Sequence, residues 1–233
     1  MSHENMNVLS LNLTKMKHII FDCDGVLIDT EIVAAEVVSD WLGTQGIEIS
    51  TNQFIVEHTG KMFSNILKEY MSTGELPHDL RIPEVVQLLD PEVRNRMRPI
   101  AGVKDLLESI ALPKSVVSNS DISWVEEALV KFDWSNHFQK PVYSAELVAQ
   151  GKPSPLVYQL AIKTIGVDKS EVIAVEDSYT GVQAALAAGI KTIGFLGGSH
   201  ILGDHAARLE SLGVTALADS HEQLQTILAD MLS

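Results

Sequence analysis

Three aspartates stand within HIIFDCDGVLIDTE, His18 to Glu31, and the first two, Asp22 and Asp24, follow directly on an apolar run. Like charges one residue apart repel, and the repulsion grows where burial lowers the dielectric. Two uses of such a pair offset that cost: shared coordination of a cation, or a reaction needing two carboxyl groups in different roles. Taken alone, the pair is equally a strand end and turn, because Asp readily bonds nearby backbone.

Similar residues recur after other apolar runs. SVV is followed by Ser118, Asn119, Ser120 and Asp121; QGKPSP carries Lys152; VIAV is followed by Glu176, Asp177 and Ser178. Each has a plain structural reading as a helix cap or a solvated lysine, but four such coincidences at one edge of a sheet would be unusual. Asp22, Asp177 and Glu176 offer the hard oxygen set that Mg²⁺ takes. Ser118, with backbone N–H groups near Gly25 and Asn119, suits phosphate oxygens, and Lys152 supplies positive charge. No Walker loop, GxGxxG turn or zinc-ligand set is present, and Gly197-Gly198 is too isolated to form one.

These residues need elements to bring them together. KHIIFD reads as a buried strand ended by Asp-Gly turn chemistry. From Thr30 to Pro99 the pattern is helical: TEIVAAEVVSDWLGTQG, SNILKEYM and PEVVQLLD, with no clear strand. After RPIAG, helices and strands alternate to the C-terminus: KSVVS, KPVYS, SEVIAVED, KTIGFL and VTALAD are the strands. This predicts an α/β fold, a parallel sheet with helices on both faces. The helical block between the first two strands reads as an inserted small α-helical domain. The expected division is a core over 15–30 and 100–233, a helical insertion over 31–99 and a short flexible leader over 1–14. In such sheets ligands bind beyond the carboxyl ends of the strands, where the polar residues fall.

Bulk properties narrow the class. The chain has 233 residues, 45% of them hydrophobic, and a net charge of −14. That charge argues against nucleic acid, which requires clustered Lys and Arg. No apolar run reaches the length that spans a bilayer, and the first residues do not read as a signal peptide. The single cysteine, Cys23, fits a reducing, cytoplasmic setting, and its thiol pKa is expected to be raised between two aspartates. A monomer is expected.

DCDGVLIDTE, SVVSNS, GKPSP and AVEDSYTG resemble, in order and spacing, the four signatures of the haloacid dehalogenase-like hydrolases, nearest the branch of sugar-phosphate phosphatases and β-phosphoglucomutase-like enzymes with a helical cap. The resemblance implies a Rossmann-like core, Mg²⁺ and an aspartyl-phosphate intermediate. It implies Asp22 as nucleophile, Asp24 as acid and then base, Ser118 as phosphate ligand and Lys152 as charge neutraliser. It implies Mg²⁺ on Asp22, the Asp24 carbonyl and Asp177, with Glu176 beside them. EHTGKM, Glu57–Met62, lies where relatives place their specificity loop, so His58 and Lys61 are expected to reach hydroxyls or a second anionic group of the substrate; a solvated turn is the equal alternative. Dehalogenating and phosphonate-cleaving relatives lack a carboxylate at the Asp24 position. The mutases typically carry a histidine where this chain has Ala34. The expected activity is hydrolysis of a small phosphorylated metabolite, a sugar phosphate or phosphorylated sugar acid; a phosphosugar mutase and a non-catalytic metal- or phosphate-binding module are the alternatives.

Overall fold

The computed structural model describes residues 16–58, 61–139 and 141–232; the leader expected over 1–14 lies outside them. Strand β1 (His18–Phe21) leads into four helices: α1 (Thr30–Thr44), α2 (Thr51–His58), α3 (Phe63–Thr73) and α4 (Ile82–Arg96). Then come α5 (Val103–Ser109), β2 (Lys114–Ser118), α6 (Ile122–Lys131), β3 (Tyr143–Ser144), α7 (Leu156–Ile165), β4 (Val172–Glu176), α8 (Tyr179–Ala187), β5 (Lys191–Phe195), α9 (His205–Ser211), β6 (Ala216–Ala218) and α10 (His221–Leu232). The strands form one sheet in the order β3-β2-β1-β4-β5-β6, every adjacent pair parallel. The chain passes from β1 to β2 on one side and returns to β4 on the other. A crevice therefore opens at this switch point, over the carboxyl ends of β1, β2 and β4.

Period-2 alternation divides the strand side chains between two apolar layers. Ile19, Phe21, Ile173 and Val175 pack with Leu106, Val125 and Leu224 from α5, α6 and α10. Ile20, Val172 and Ala174 pack on the opposite face with Tyr158 and Ala184 from α7 and α8. Burial on both faces explains why these strands read as continuous apolar runs. Helices α1 to α4 close over a cluster of their own, with Val33, Leu42, Phe54, Leu67 and Leu89 among its members.

Two helices differ from the sequence reading. Helix α2 was not expected, although its start carries a capping signature: the Ser50 hydroxyl accepts from the Gln53 N–H (3.3 Å) while the Gln53 side chain accepts from the Ser50 N–H (3.1 Å). Helix α4 runs past Pro91 to Arg96, beyond PEVVQLLD. Arg94 pairs with Asp90 and Arg96 with Glu92, each at 2.7 Å and four residues apart, clamping the turn around the proline.

His18 and Lys114 are buried on adjacent strands. His18 Nε2 meets Ser115 Oγ at 2.9 Å, and Lys114 Nζ donates to the Ile110 carbonyl at 2.5 Å. Burial, then the Lys114 charge, lowers the His18 pKa to about 4. Unfolded histidine titrates near 6.5, so the folded state takes up this proton less readily. The stability held by neutral His18 is complete above pH ~6.5 and is lost as pH falls toward ~4. Urea midpoints measured across this window should fall with pH, and His18→Gln should flatten that fall; an unchanged slope would show that His18 does not set it.

Candidate active site

Asp22 sits one residue beyond β1, and its N–H continues the ladder to the Val175 carbonyl at 2.9 Å. The turn before α7 brings in Lys152 from the other side. Its ammonium donates to Asp22 Oδ1 (2.7 Å), Glu176 Oε1 (2.5 Å) and the Val117 carbonyl (3.0 Å). All three side chains are buried. Tyr158, reaching up from α7, donates to the same Glu176 oxygen at 2.5 Å. Asn119 ties the lysine turn to the end of β2: its Oδ1 accepts from the Lys152 N–H (2.8 Å) and its Nδ2 donates to the Lys152 carbonyl (3.1 Å). Burial disfavours the ammonium, but Asp22 and Glu176 outweigh it and hold the Lys152 pKa above its ordinary value.

Asp177 completes an acidic cluster. Asp22, Glu176 and Asp177 each place a carboxylate oxygen within 4.8 Å of the others. Burial first, then the charges of Glu176, Asp177 and Asp24, pushes the Asp22 pKa well up, against the pull of Lys152. Burial, then Asp177, likewise raises Glu176. His200 Nε2 lies 3.1 Å from Asp177 Oδ2, and His205 Nε2 donates to the Asp177 carbonyl at 2.6 Å. Asp177 Oδ1 is buried with no hydrogen-bond partner among the described residues. An orphaned carboxylate oxygen beside two other buried carboxylates fits a hard divalent cation, which takes oxygen donors and removes their mutual repulsion.

Close approach explains two glycines. Gly25 has φ +76°, and a Cβ there would overlap the Asp177 carboxylate. A Cβ at Gly181 would overlap the Glu176 carboxylate. The Gly25 N–H is directed to the Ile28 carbonyl at 2.8 Å, so Gly25 contributes space.

Asp24 lies apart from the lysine. Its carboxylate accepts from Thr30 Oγ1 (2.6 Å), Ser120 Oγ (2.7 Å), Trp124 Nε1 (2.9 Å) and Ser118 Oγ (3.2 Å). The four donors fix it between the start of α1 and the start of α6. The Arg94 guanidinium stacks over the Trp124 ring at 4.9 Å. Cys23, between the two aspartates, is buried, and burial, then Asp24 and Asp22, drives its thiol pKa well up.

The sequence reading named Asp22, Asp24, Gly25, Ser118, Asn119, Lys152, Glu176 and Asp177, and these meet at the one crevice. His58 and Lys61 stand on the wall of a cavity of about 270 Å³ enclosed by α1 to α4 and α6. Thr59 and Gly60, between them, lie outside the described residues. His58 Nε2 meets the Tyr70 hydroxyl at 3.2 Å, and Lys61 Nζ donates to Glu69 at 2.8 Å. Thr30, Trp124, Tyr158, His200 and His205 were not anticipated. The two histidines follow β5, so the strand-end rule applied to the other loops also reaches GGSHILGDH. Trp124 sits in an apolar helical pattern and gives no comparable signal.

A sequence model described as haloacid dehalogenase-like hydrolase matches residues 19–195. The chain is 26% identical over 195 residues to 6-phosphogluconate phosphatase of Escherichia coli (strain K12), covering 81% of this chain and 86% of that one. It is 28% identical over 230 residues to a phosphorylated carbohydrates phosphatase of Thermotoga maritima, covering 91% and 98%. Among solved structures, a HAD family hydrolase from Deinococcus radiodurans R1, with bound phosphate and sodium, superposes with a TM-score of 0.81 at 26% identity, covering 94% of this chain and 97% of that one. The matched span begins one residue into β1 and ends with β5. It takes in the loops after β1, β2 and β4 and the lysine turn, and the chain belongs to the haloacid dehalogenase-like hydrolase family.

Proposed function

We propose that the chain is a Mg²⁺-dependent phosphomonoester hydrolase of small phosphorylated metabolites. One observation carries the reading: a buried ammonium bridges Asp22 and Glu176 beside an Asp177 oxygen that lacks a partner. The relatives named as phosphatases and the phosphate held by the Deinococcus protein support it by likeness. A sugar phosphate or phosphorylated sugar acid is the substrate class those names favour. Residues 31–99 would act as a cap over the core formed by 15–30 and 100–233.

Asp22, Glu176, Asp177 and the Asp24 carbonyl would hold the metal. Bound there, Mg²⁺ supplies Lewis-acid charge neutralisation at the phosphoryl oxygens. Lys152 fixes the Asp22 carboxylate by one oxygen and leaves the other to attack phosphorus. As that P–O bond forms, the bond to the leaving alcohol breaks, and Asp24 gives its proton to the leaving oxygen. Water then attacks phosphorus, the Asp22–phosphorus bond breaks, and Asp24 takes the water proton as inorganic phosphate departs. Ser118 and Lys152 would face the charge that builds on the phosphoryl group. Ala34, on the apolar cavity wall, has no side chain that transfers protons, which favours release of phosphate over transfer to a second sugar position.

With Mg²⁺ the protein should release phosphate from 4-nitrophenyl phosphate, and chelator should stop it; folded protein inactive in both would exclude the reading. Asp22→Asn should lower kcat by at least about a thousandfold with the circular dichroism spectrum unchanged; an active variant would remove Asp22 as nucleophile. Calorimetric titration of Mg²⁺ should show one site, weakened in Asp177→Asn by more than the roughly 10–100-fold typical of losing an outer partner; equal affinity would place the metal elsewhere.

A further inference from the structure

We propose that the alcohol released by this enzyme has an apolar body, an aryl or short alkyl group, and that it sits in the cavity of about 270 Å³ between α1–α4 and Trp124. The inference rests on the phosphomonoesterase reading and narrows it, against the carbohydrate that the relatives' names favour.

Two residues of the cavity wall touch the proposed catalytic groups. Trp124 lines it and donates to Asp24 Oδ1 at 2.9 Å; His200 lines it and stands 3.1 Å from Asp177 Oδ2. A leaving oxygen beside Asp24 would place its carbon next to this space. The rest of the wall is mainly apolar, with Val38, Phe54, Phe63, Leu89 and Val93 among its members. Most of its polar residues have a partner. Lys61 pairs with Glu69 at 2.8 Å and Asp90 with Arg94 at 2.7 Å; His58 Nε2 meets Tyr70 at 3.2 Å. The ring nitrogens His58 Nδ1 and His200 Nδ1 are buried without a partner among the described residues, enough to orient one or two polar substituents. Glu31, exposed to solvent, also lines the space.

A sugar would bring several hydroxyls into this wall. Each hydroxyl left without a partner costs about 1–3 kcal/mol, so a polyol is disfavoured, whereas an apolar group gains from leaving water. Size agrees, since an apolar cavity of roughly 150 Å³ takes up a benzene ring.

The test compares esters of primary alcohols, so that leaving-group chemistry stays similar: methyl, butyl and benzyl phosphate against glucose 6-phosphate and 6-phosphogluconate, with 4-nitrophenyl phosphate as a general reporter. The kcat/KM values for butyl and benzyl phosphate should exceed those for both sugar esters by about tenfold or more, the scale set by small apolar groups in a fitted pocket. Ala34→Leu, which fills the cavity from α1, should lower the benzyl-to-methyl ratio by about tenfold, with a melting curve confirming the fold. Faster release from the sugar esters, or an equal rate on all, keeps the hydrolase and overturns the apolar assignment. No phosphate from any ester, the reporter included, overturns the hydrolase reading and this inference together.

Discussion

A lysine ammonium enclosed by protein holds three strands' worth of chemistry in register. Lys152 Nζ lies within 3.0 Å of Asp22, Glu176 and the Val117 carbonyl, which belong to the ends of β1, β4 and β2. Removing one partner of a buried ion pair costs about 3–5 kcal/mol, because the other charge is left in a medium that solvates it poorly. The three strand ends are thus fixed relative to one another by the groups proposed to do the chemistry. The arrangement also leaves the cluster short of positive charge. One ammonium serves Asp22 and Glu176, with Asp177 beside them, and both Asp22 and Glu176 have raised pKa values despite it. The orphaned Asp177 oxygen marks where further positive charge is called for.

Everything around the lysine serves its placement. Asn119 fastens the lysine turn at both backbone groups, and Tyr158 shares the Glu176 oxygen from below. Gly25 and Gly181 remove the Cβ atoms that would displace the carboxylates. The sheet makes this possible because β1 is flanked by β2 and β4. Residues far apart in sequence, such as Asp22 and Lys152, thereby become neighbours.

Much of this was legible in the chain. Alternating strands and helices imply a parallel sheet, and the rule that ligands sit at strand carboxyl ends places Asp22, Ser118 and Asp177 in one crevice. Legibility ended where contact depends on the relative placement of separate elements. Trp124 reads as one apolar position in SWVEEALVKF; only the docking of α6 brings its indole N–H to Asp24, 100 positions away. The two-residue β3 is shorter than KPVYS suggested, at the sheet edge, where pairing comes from one side alone. Helix α2 was missed because its apolar positions are few, and Ser50 and Gln53, which announce it, are both polar. The cavity is invisible to any local pattern, since four helices and a tryptophan build it jointly.

The helical block and the sheet are joined by surface pairs as well as by apolar contact. Within the block, Leu42, Leu67 and Leu76 are among the fully buried side chains, and such burial is worth about 1.5–3 kcal/mol each. Between the parts run ion pairs at the surface: Arg94 with Glu127 at 2.7 Å, and Lys131 on the Arg94 and Asn95 carbonyls at 2.9 and 2.8 Å. Exposed pairs of this kind are worth about 0–1 kcal/mol. Val93 of α4 packs against both apolar clusters, so a shift of α4 disturbs surface pairs and apolar contact together. Arg94 also lies over Trp124, whose N–H holds Asp24. A displacement of α4 would change the cover on the indole that positions the proposed proton donor. Cavity shape and proton delivery thus share one side chain, and a group that fills the cavity bears directly on Asp24.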